Sequence, residues 1–462
     1  MPKKKYSRAR IIAKTLIASL ALGCGAGRAG AAENRPFPLG LAYPGCIKPG
    51  NVDQAAMNKT VLDAWTTYKA KYIKAATSIQ GGYYIEMRTT NAPDQDKSSS
   101  EANGYGMILA ALMAGPKGEP DARTYFDGFF HLFDKNRSGT NSALMSFSVG
   151  PGESSHQNSA TDGDMDIAYA LLLADYQWGS AGAVNYLNEA KRIITDGIKK
   201  SEVGQASHRT TLGDWDKNGL NTRSSDWMAG HMTAFQKATG DASWGDARKT
   251  IFNLVSAIVS GYSSKTGLMP DFVVGDPAKP AAPNFLEKET DGDYSWNACR
   301  FPMRMAVDYA HNGSAESKSA LAKISGWIKG ATGGNPASIM AGYKLDGTAL
   351  VTYGNMAFAA PLIASAIADA SNQEFLDKGW AYLASTKQNE YYGDSIELLT
   401  MLLLSGNWWA PDAALPTALA PDLGRTARHG ESASRLAPTL NLLGRSLNGR
   451  AQHIAGITVP RK

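Results

Sequence analysis

Apolar residues recur at helical spacing along most of this chain, and this pattern constrains the fold more than any other feature. Twelve stretches carry the pattern and follow one another in pairs, joined alternately by short turns and by long loops rich in Gly, Trp, Tyr and Asp. One stretch of a pair is nearly apolar, as in residues 104–115, and the other is amphipathic, as in residues 185–200. This arrangement predicts an all-α fold, an (α/α)6 barrel of six helical hairpins with apolar inner helices. The twelve stretches are residues 53–75, 101–114, 121–134, 163–178, 181–199, 227–239, 242–260, 298–311, 315–330, 355–369, 373–386 and 392–404.

The two ends of the chain differ from its middle. Residues 1–31 combine seven basic residues, an apolar core near residues 11–22 and a small-residue site around Ala29–Ala31. That is the form of a secretory signal peptide, so we expect a secreted, extracellular protein. The apolar core is too short to span a bilayer, so stable membrane insertion is not expected. Residues 413–462 predict a basic, disordered tail rich in Ala, Leu, Pro and Arg, which leaves residues 32–412 as the folded domain.

The formal net charge of +5 conceals an acidic body. Residues 1–31 carry +7 and residues 413–462 carry +5, which leaves −7 for residues 32–412. An acidic body argues against nucleic acid as a ligand and favours a neutral or cationic one. Without the signal peptide only Cys46 and Cys299 remain, and an oxidising compartment would allow them to form a disulfide. Two cysteines and few histidines argue against a zinc site, so no metal or cofactor is expected.

Three acidic segments each precede an inner helix. Glu101 stands at the first turn of one helix, in SSSEANGYGM, and Asp162 opens another, in SATDGDMDIAYALL. The third segment, NFLEKETDGDYSW, ends a region without helical periodicity, residues 262–297, and a long loop of this kind is often functional. Capping is the simpler account of these acids, because a carboxylate is stabilised at a helix N-terminus. The same residues could also converge on one cleft at one end of the barrel.

Aromatic residues accompany the acids. Trp215, Trp227 and Tyr294 lie in or near the acidic segments, and we expect them to stack on sugar rings, whose axial C–H bonds form apolar faces. Paired carboxylates in an aromatic cleft are what glycoside hydrolysis requires. The sequence therefore predicts a polysaccharide as substrate.

The same segments resemble the motifs of glycoside hydrolase family 8. The stretch ATDGDMDIAYALLLADYQW is similar to the signature of that family, and SEANGYGM is similar to its acid-bearing segment. The segments LGDWD, SDWM, NACRFPMR and SGNWW fit as well, so the likeness extends over residues 37–410. The resemblance implies an (α/α)6 barrel that hydrolyses β-1,4-linked polysaccharides with inversion at the anomeric carbon.

The resemblance also implies roles for individual residues. Glu101 matches the general acid, Asp162 matches the acid that holds the sugar ring and orients water, and Arg300 matches a substrate-contacting arginine. The acid and base of an inverting site should lie about 6.5–9.5 Å apart. Because a helix N-terminus lowers the pKa of a carboxyl group, burial and a neighbouring carboxylate must raise the pKa of Glu101 for it to act as an acid.

The base is the point at which this chain departs from many family members. They place an Asp where this chain has Asn297, so the resemblance implies a Glu of the preceding loop as the base. Glu287, in FLE, is the candidate, and Glu289 remains open. This arrangement is similar to the subgroup that contains chitosanases and lichenan-type glucanases.

The substrate expectation rests on charge and on two further likenesses. Chitosan is a polycation, which suits a body of charge −7, and GGYY and TRSSDWM resemble the chitosanases. We therefore expect a monomeric endo-chitosanase, with an endo-β-1,3-1,4-glucanase or endo-β-1,4-glucanase as the alternative. A non-catalytic polysaccharide-binding protein and a polysaccharide lyase are the competing classes, although lyases usually present basic clefts.

Overall fold

The computed structural model describes residues 33–88 and 95–411, and this part of the chain contains twelve long helices that alternate between an outer and an inner position. The outer helix of the third pair, α5, continues through a π-helical turn at Ile193–Ile198 into the short α6 (Lys199–Ser201). The outer helices are α1 (Gln54–Tyr72), α3 (Ala122–Lys135), α5 (Tyr186–Arg192), α8 (Ser243–Gly261), α10 (Ala315–Ala331) and α12 (Gln373–Ser385). The inner helices are α2 (Ser100–Met113), α4 (Thr161–Trp178), α7 (Ala229–Thr239), α9 (Phe301–Asn312), α11 (Met356–Ala364) and α13 (Tyr391–Leu404).

The inner helices form a closed ring. Each contacts the next in the order α2, α4, α7, α9, α11 and α13, and α13 contacts α2 again. Almost every side chain of α2, α4 and α11 is buried, whereas the outer helices bury one face. The predicted (α/α)6 barrel is therefore confirmed, and the apolar periodicity of the inner helices reflects burial on all sides.

Two glycines allow α2 and α4 to approach each other closely. A Cβ atom on Gly104 would lie 2.7 Å from the Cβ of Asp166, and one on Gly163 would lie 2.3 Å from the Oγ of Ser100. Both distances are shorter than van der Waals contact, so a side chain at either position would push the helices apart. This contact brings the first turns of α2 and α4 together.

The two ends of the described chain are joined to each other. The Leu39 amide donates to the Oδ1 of Asn407 at 2.8 Å, and the Leu41 amide donates to the Gly406 carbonyl at 2.7 Å. The Tyr43 hydroxyl donates to the Trp408 carbonyl at 2.7 Å. The segment that precedes α1 thus closes the barrel against the segment that follows α13.

Short strands occur only in the connections of the described chain. Two pairs form, β1 (Ile73–Ala75) with β2 (Tyr83–Ile85) and β3 (Ser98–Ser99) with β4 (Ser148–Val149). A three-stranded antiparallel sheet holds β5 (Thr222–Arg223), β6 (Phe272–Val274) and β7 (Lys279–Pro280), with Arg223 opposite Phe272. Strands β6 and β7 lie within residues 262–297, so this sheet orders the region that lacked helical periodicity.

Both cysteines of the body are free. Cys299 is buried and its thiol donates to the Trp296 carbonyl at 3.2 Å, so the disulfide with Cys46 that the sequence allowed does not form. Across residues 33–88 and 95–411, no helix has the length and hydropathy needed to cross a membrane, and no group of His, Cys, Asp and Glu side chains suits a metal ion. The signal peptide at residues 1–31 and the tail at residues 413–462 lie outside the described residues and remain predictions.

Candidate active site

A buried arginine joins the two acids that the sequence placed at the first turns of inner helices. Arg300 ends the 3-10 turn before α9 and is 1% exposed. Its Nη1 lies 2.5 Å from the Oε2 of Glu101 on α2 and 2.6 Å from the Oδ2 of Asp162 on α4. The Tyr391 hydroxyl, at the start of α13, donates to the Oε1 of Glu101 at 3.1 Å. The N-terminal ends of four inner helices therefore meet at one end of the barrel, and Glu101 and Asp162 converge there in addition to lying at helix N-termini.

The surroundings of Glu101 and Asp162 move their pKa values in opposite directions. Burial raises the pKa of Glu101 to about 6, with Arg300 opposing the shift and the Asp162 charge adding to it. Burial would also raise the pKa of Asp162, but Arg300 and Arg223 outweigh it and lower that pKa. A pair of carboxyl groups separated in this way supplies one proton donor and one anion. The expectation that burial would overcome the helix dipole at Glu101 is met.

The predicted base lies on an exposed loop, residues 281–290, which we name the base loop. The Oε2 of Glu287 accepts a hydrogen bond of 2.9 Å from the Nδ2 of Asn297. The Oδ1 of the same amide accepts a hydrogen bond of 3.0 Å from the Nη2 of Arg300. Asn297 therefore connects Glu287 to the residue that holds Glu101 and Asp162. Glu289 is also exposed and makes no hydrogen bond or ion pair with the described part of the chain.

Two buried aspartates hold the base loop and the turn that follows it. The Asp291 carboxylate accepts the consecutive backbone amides of Leu286, Glu287 and Lys288 at 2.7–2.9 Å. The Oδ1 of Asp271 accepts the backbone amides of Ser295, Asn297 and Ala298 at 2.7–3.1 Å. The loop is exposed, but Asp291 fixes its backbone around Glu287, and Asp271 fixes the turn that follows it.

The structure adds two charged residues that the sequence analysis did not single out. Arg223 lies on β5 with its Nη1 3.7 Å from the Oδ1 of Asp162. Asp226 is fully buried in the 3-10 turn before α7, and burial, opposed by Arg223 and supported by Asp162, raises its pKa to about 7. Neither residue stands at the first turn of a periodic helix, so the pattern that revealed Glu101 does not reveal them.

Two of the three expected sugar platforms are wrong. Trp227 is completely buried, donates its indole N–H to the Thr222 hydroxyl at 2.9 Å and packs edge-on against Phe301. Tyr294 is also completely buried, and its hydroxyl lies 3.3 Å from the Cys299 carbonyl. Neither ring has a face open to a sugar, so both residues belong to the core.

Trp215 is 39% exposed and remains a candidate platform. Its loop is held against the start of α4, because the Thr161 hydroxyl donates to the Thr211 carbonyl at 2.8 Å. Two exposed aromatic residues that the sequence analysis missed adjoin the acid-bearing segments. Phe147 is 44% exposed and its carbonyl accepts the Ser100 amide, next to Glu101 in sequence. Phe285 is 36% exposed, two residues before Glu287.

The other acids of α4, Asp164 and Asp166, are structural. Asp166 forms a bidentate pair with Arg304, at 2.8 and 2.5 Å, and lies 2.9 Å from the Nε2 of His231. Asp164 is buried near Glu202, and burial together with the Glu202 charge raises its pKa well above the usual range. Burial raises the pKa of Glu202 to about 8. One carboxyl group of this buried pair is therefore protonated at neutral pH.

Comparison with known proteins identifies the family of the chain. Residues 43–406 match the family described as Glycosyl hydrolases family 8. An endoglucanase of Bacillus sp. (strain KSM-330) is 43% identical over 82% of this chain and 83% of that protein. A beta-glucanase of Niallia circulans is 44% identical over 82% of this chain and 92% of that protein.

Among solved structures, the apo Beta-1,3-1,4-glucanase from Paenibacillus sp. X4 superposes with a TM-score of 0.78 at 42% identity. That match covers 82% of this chain and all of the other. A reducing-end-xylose releasing exo-oligoxylanase, with a TM-score of 0.64 at 19% identity, shares the fold. The motifs, the closed ring of inner helices and these relatives together place the chain in glycoside hydrolase family 8.

Proposed function

We propose that the protein is an endo-acting, inverting glycoside hydrolase of neutral β-glucans, with mixed-linkage β-1,3-1,4-glucan as its preferred substrate. The observation that carries the hydrolase assignment is the buried cluster of Glu101, Asp162 and Arg300, in which burial keeps a proton on Glu101 while Arg300 keeps Asp162 as an anion. The three relatives of 42–44% identity bear the names endoglucanase, beta-glucanase and Beta-1,3-1,4-glucanase. They support the glucanase alternative and give no support to the expected chitosanase.

The charge at the reaction centre also favours a neutral sugar over a cationic one. Arg223 and Arg300 both lie beside Asp162, at 3.7 and 2.6 Å. Glu101 and Asp226, with pKa values of about 6 and about 7, are largely protonated in mildly acidic solution. The positive charges of Arg223 and Arg300 are then balanced by the carboxylates of Asp162 and Glu287. The centre therefore offers little net attraction to a glucosaminium ring. The charge of −7 is spread over the whole body and does not describe this centre.

The reaction proposed for this site is a single-step displacement. The protonated Glu101 donates its proton to the glycosidic oxygen as the bond from that oxygen to the anomeric carbon breaks. The Glu287 carboxylate takes a proton from a water molecule on the opposite face of the ring, and the water oxygen bonds to the anomeric carbon. Asp162 and Arg300 hold the sugar during the step. The product has the inverted anomeric configuration, and solvent then returns both carboxyl groups to their starting protonation states.

The test is the release of reducing ends from barley β-glucan, carboxymethyl cellulose and chitosan, with the anomeric form of the first product followed by proton NMR. We expect the fastest release from barley β-glucan and an α-anomer as the first product. Release from chitosan alone would restore the chitosanase reading. Binding without release would indicate a non-catalytic binding protein, and unsaturated products that absorb in the ultraviolet would indicate a lyase.

A further inference from the structure

We propose that Arg223 is a second substrate-binding arginine, and that it and Asp162 together hold one hydroxyl group of the sugar whose glycosidic bond is cleaved. The inference rests on the proposed function, since it concerns how that site binds a neutral sugar. It adds a residue that lies outside the acid, the base and the arginine that the family motifs indicate.

The separation between the two side chains is the first observation. The Nη1 of Arg223 lies 3.7 Å from the Oδ1 of Asp162, beyond the 2.7–3.2 Å typical of an N–H···O hydrogen bond. An oxygen atom placed beside both groups can lie within hydrogen-bond distance of each. A hydroxyl group suits this position because it accepts from the guanidinium and donates to the carboxylate, whereas a guanidinium only donates and a carboxylate only accepts.

The unused donors of Arg223 are the second observation. Its side chain is 10% exposed and donates no hydrogen bond to the described residues, although its Nη1 faces Asp162. A guanidinium that is mostly withdrawn from water loses hydration, and a ligand oxygen beside Nη1 restores a hydrogen bond to it. Arg209 provides the contrast within the same region, because its Nη1 donates to the carbonyls of Leu220 and Gly275 at 2.6 and 2.7 Å.

The third observation is that Asp162 has acceptor capacity left. Its Oδ2 accepts from Arg300 at 2.6 Å, and its Oδ1 accepts only the Gly163 amide, at 2.9 Å. A carboxylate oxygen can accept two hydrogen bonds, so the Oδ1 that faces Arg223 can take one more. The pair therefore presents one free acceptor next to free donors.

Arg223 is held in place before any sugar arrives. It lies on β5 opposite Phe272 of β6, and its guanidinium carbon is 5.6 Å from the centre of the Phe272 ring. Burial would lower its pKa, but the charges of Asp226, Asp162 and Glu287 raise it, so the guanidinium stays charged. A preorganised donor of this kind binds without paying the entropy of immobilisation.

The experiment combines Arg223→Gln with mixed-linkage gluco-oligosaccharides in which the sugar on the non-reducing side of the scissile bond lacks its 2-, 3- or 6-hydroxyl group. For the wild type, we expect one of the three deoxy substrates to lose about 10- to 150-fold in kcat/KM, the range for a hydrogen bond to a charged group. Arg223→Gln should lose a similar factor on the parent oligosaccharide and almost nothing further on that deoxy substrate. This non-additivity shows that the arginine and the hydroxyl group interact directly.

Arg209→Gln is the matched control, because Arg209 is equally buried but bonds to backbone carbonyls. We expect it to keep the wild-type kcat/KM on the parent and the wild-type deoxy penalties. If Arg223→Gln does not fold, Arg223→Lys keeps the charge, loses the planar fork and is taken through the same cycle.

Two results overturn the proposal that Arg223 and Asp162 together hold one sugar hydroxyl group. The first is a kcat/KM of Arg223→Gln equal to that of the wild type. The second is an Arg223→Gln variant in which each deoxy substrate loses the same factor in kcat/KM as it loses in the wild type, so that the two effects simply add. A wild type that fails to cleave the parent oligosaccharide is a different failure, because it overturns the proposed glucanase function itself. The two failures are therefore distinguished by the wild-type rate alone.

Discussion

The acid side and the base side of the centre are built in different ways. Glu101, Asp162 and Arg300 stand at the N-terminal ends of inner helices and bury most of their surface. Glu287 stands on the exposed base loop, where Asp291 and Asn297 fix its backbone and its carboxylate. A general acid needs burial to retain its proton, whereas a base that activates water needs contact with solvent. The difference shows how one site meets both needs, with a rigid helix end for the acid and an anchored loop for the base.

The strongest test of this difference between the acid side and the base side is a substitution of the proposed base. Glu287→Gln removes the group that takes the proton from water, so kcat should fall about 100- to 10,000-fold, the usual contribution of a general base. Glu289→Gln, two residues away and without a contact to the centre, should change kcat by less than about twofold. Steady-state rates on barley β-glucan with both variants decide the question. A large loss in Glu289→Gln with activity kept in Glu287→Gln would move the base.

A second prediction concerns the amide that joins the two sides. Asn297→Ala removes the hydrogen bond that holds the Glu287 carboxylate on the side of Arg300, so the base is less well placed to take the proton from water. We expect kcat on barley β-glucan to fall about tenfold, roughly the worth of one hydrogen bond to a charged group. Steady-state rates are measured beside those of Asn335→Ala, an exposed control. An unchanged kcat in Asn297→Ala would mean that Asn297 does not position the base.

A third prediction concerns the pH dependence that Glu101 gives to kcat/KM. The Tyr391 hydroxyl donates to Glu101 and lowers the pKa of that carboxyl, which burial raises to about 6. Tyr391→Phe should therefore move the basic limb of kcat/KM upward by less than about one pH unit. Because the acid must be protonated, activity above pH 6 should rise relative to the optimum. The exposed Tyr353→Phe is the control, and a limb that moves downward contradicts the role given to Tyr391.

The smallest effect on activity is expected beneath the acid side, in the buried pair of Asp164 and Glu202. Burial raises the pKa of Glu202 from its usual 4.5 to about 8, so the folded state binds a proton that the unfolded state releases. Stability should then fall as the pH rises from about 4.5 to about 8, and Glu202→Gln should flatten that fall. Melting temperatures from pH 5 to pH 9 measure the effect. Exposed Glu374→Gln is the control, and an unchanged slope in Glu202→Gln argues against a shared proton.

Sequence reasoning located the acid side because periodicity and position agree there. The apolar pattern of each inner helix fixes where its first turn lies, and the parallel inner helices bring Glu101 and Asp162 together. The family resemblance supplied the step from Asn297 to Glu287, and the hydrogen bond between them is the geometry that this step required. No pattern in the sequence gives the 3.7 Å separation between Arg223 and Asp162.

Two of the three aromatic predictions were wrong for a related reason. Trp227 and Tyr294 adjoin acidic segments in the sequence, as Trp215 does, but adjacency does not tell which face of a turn a ring occupies. Trp227 is buried because its indole N–H bonds to Thr222 and its ring packs against Phe301. These are tertiary contacts, which adjacency in the sequence does not reveal. The charge argument had the same weakness, because a sum over 381 residues does not report the field at one centre.

The seam between the start and the end of the barrel has a consequence for how the chain is made. Residues 39–43 bond to residues 406–408, so the ring cannot close until nearly the whole domain has left the ribosome. Until then the unpaired faces of the inner helices are exposed and prone to aggregate. A fragment that stops before SGNWW lacks the residues that bond to residues 39–43. Its inner helices then form without the contacts that close the ring. Folding of this domain is thus completed by residues 406–408, which follow its last inner helix.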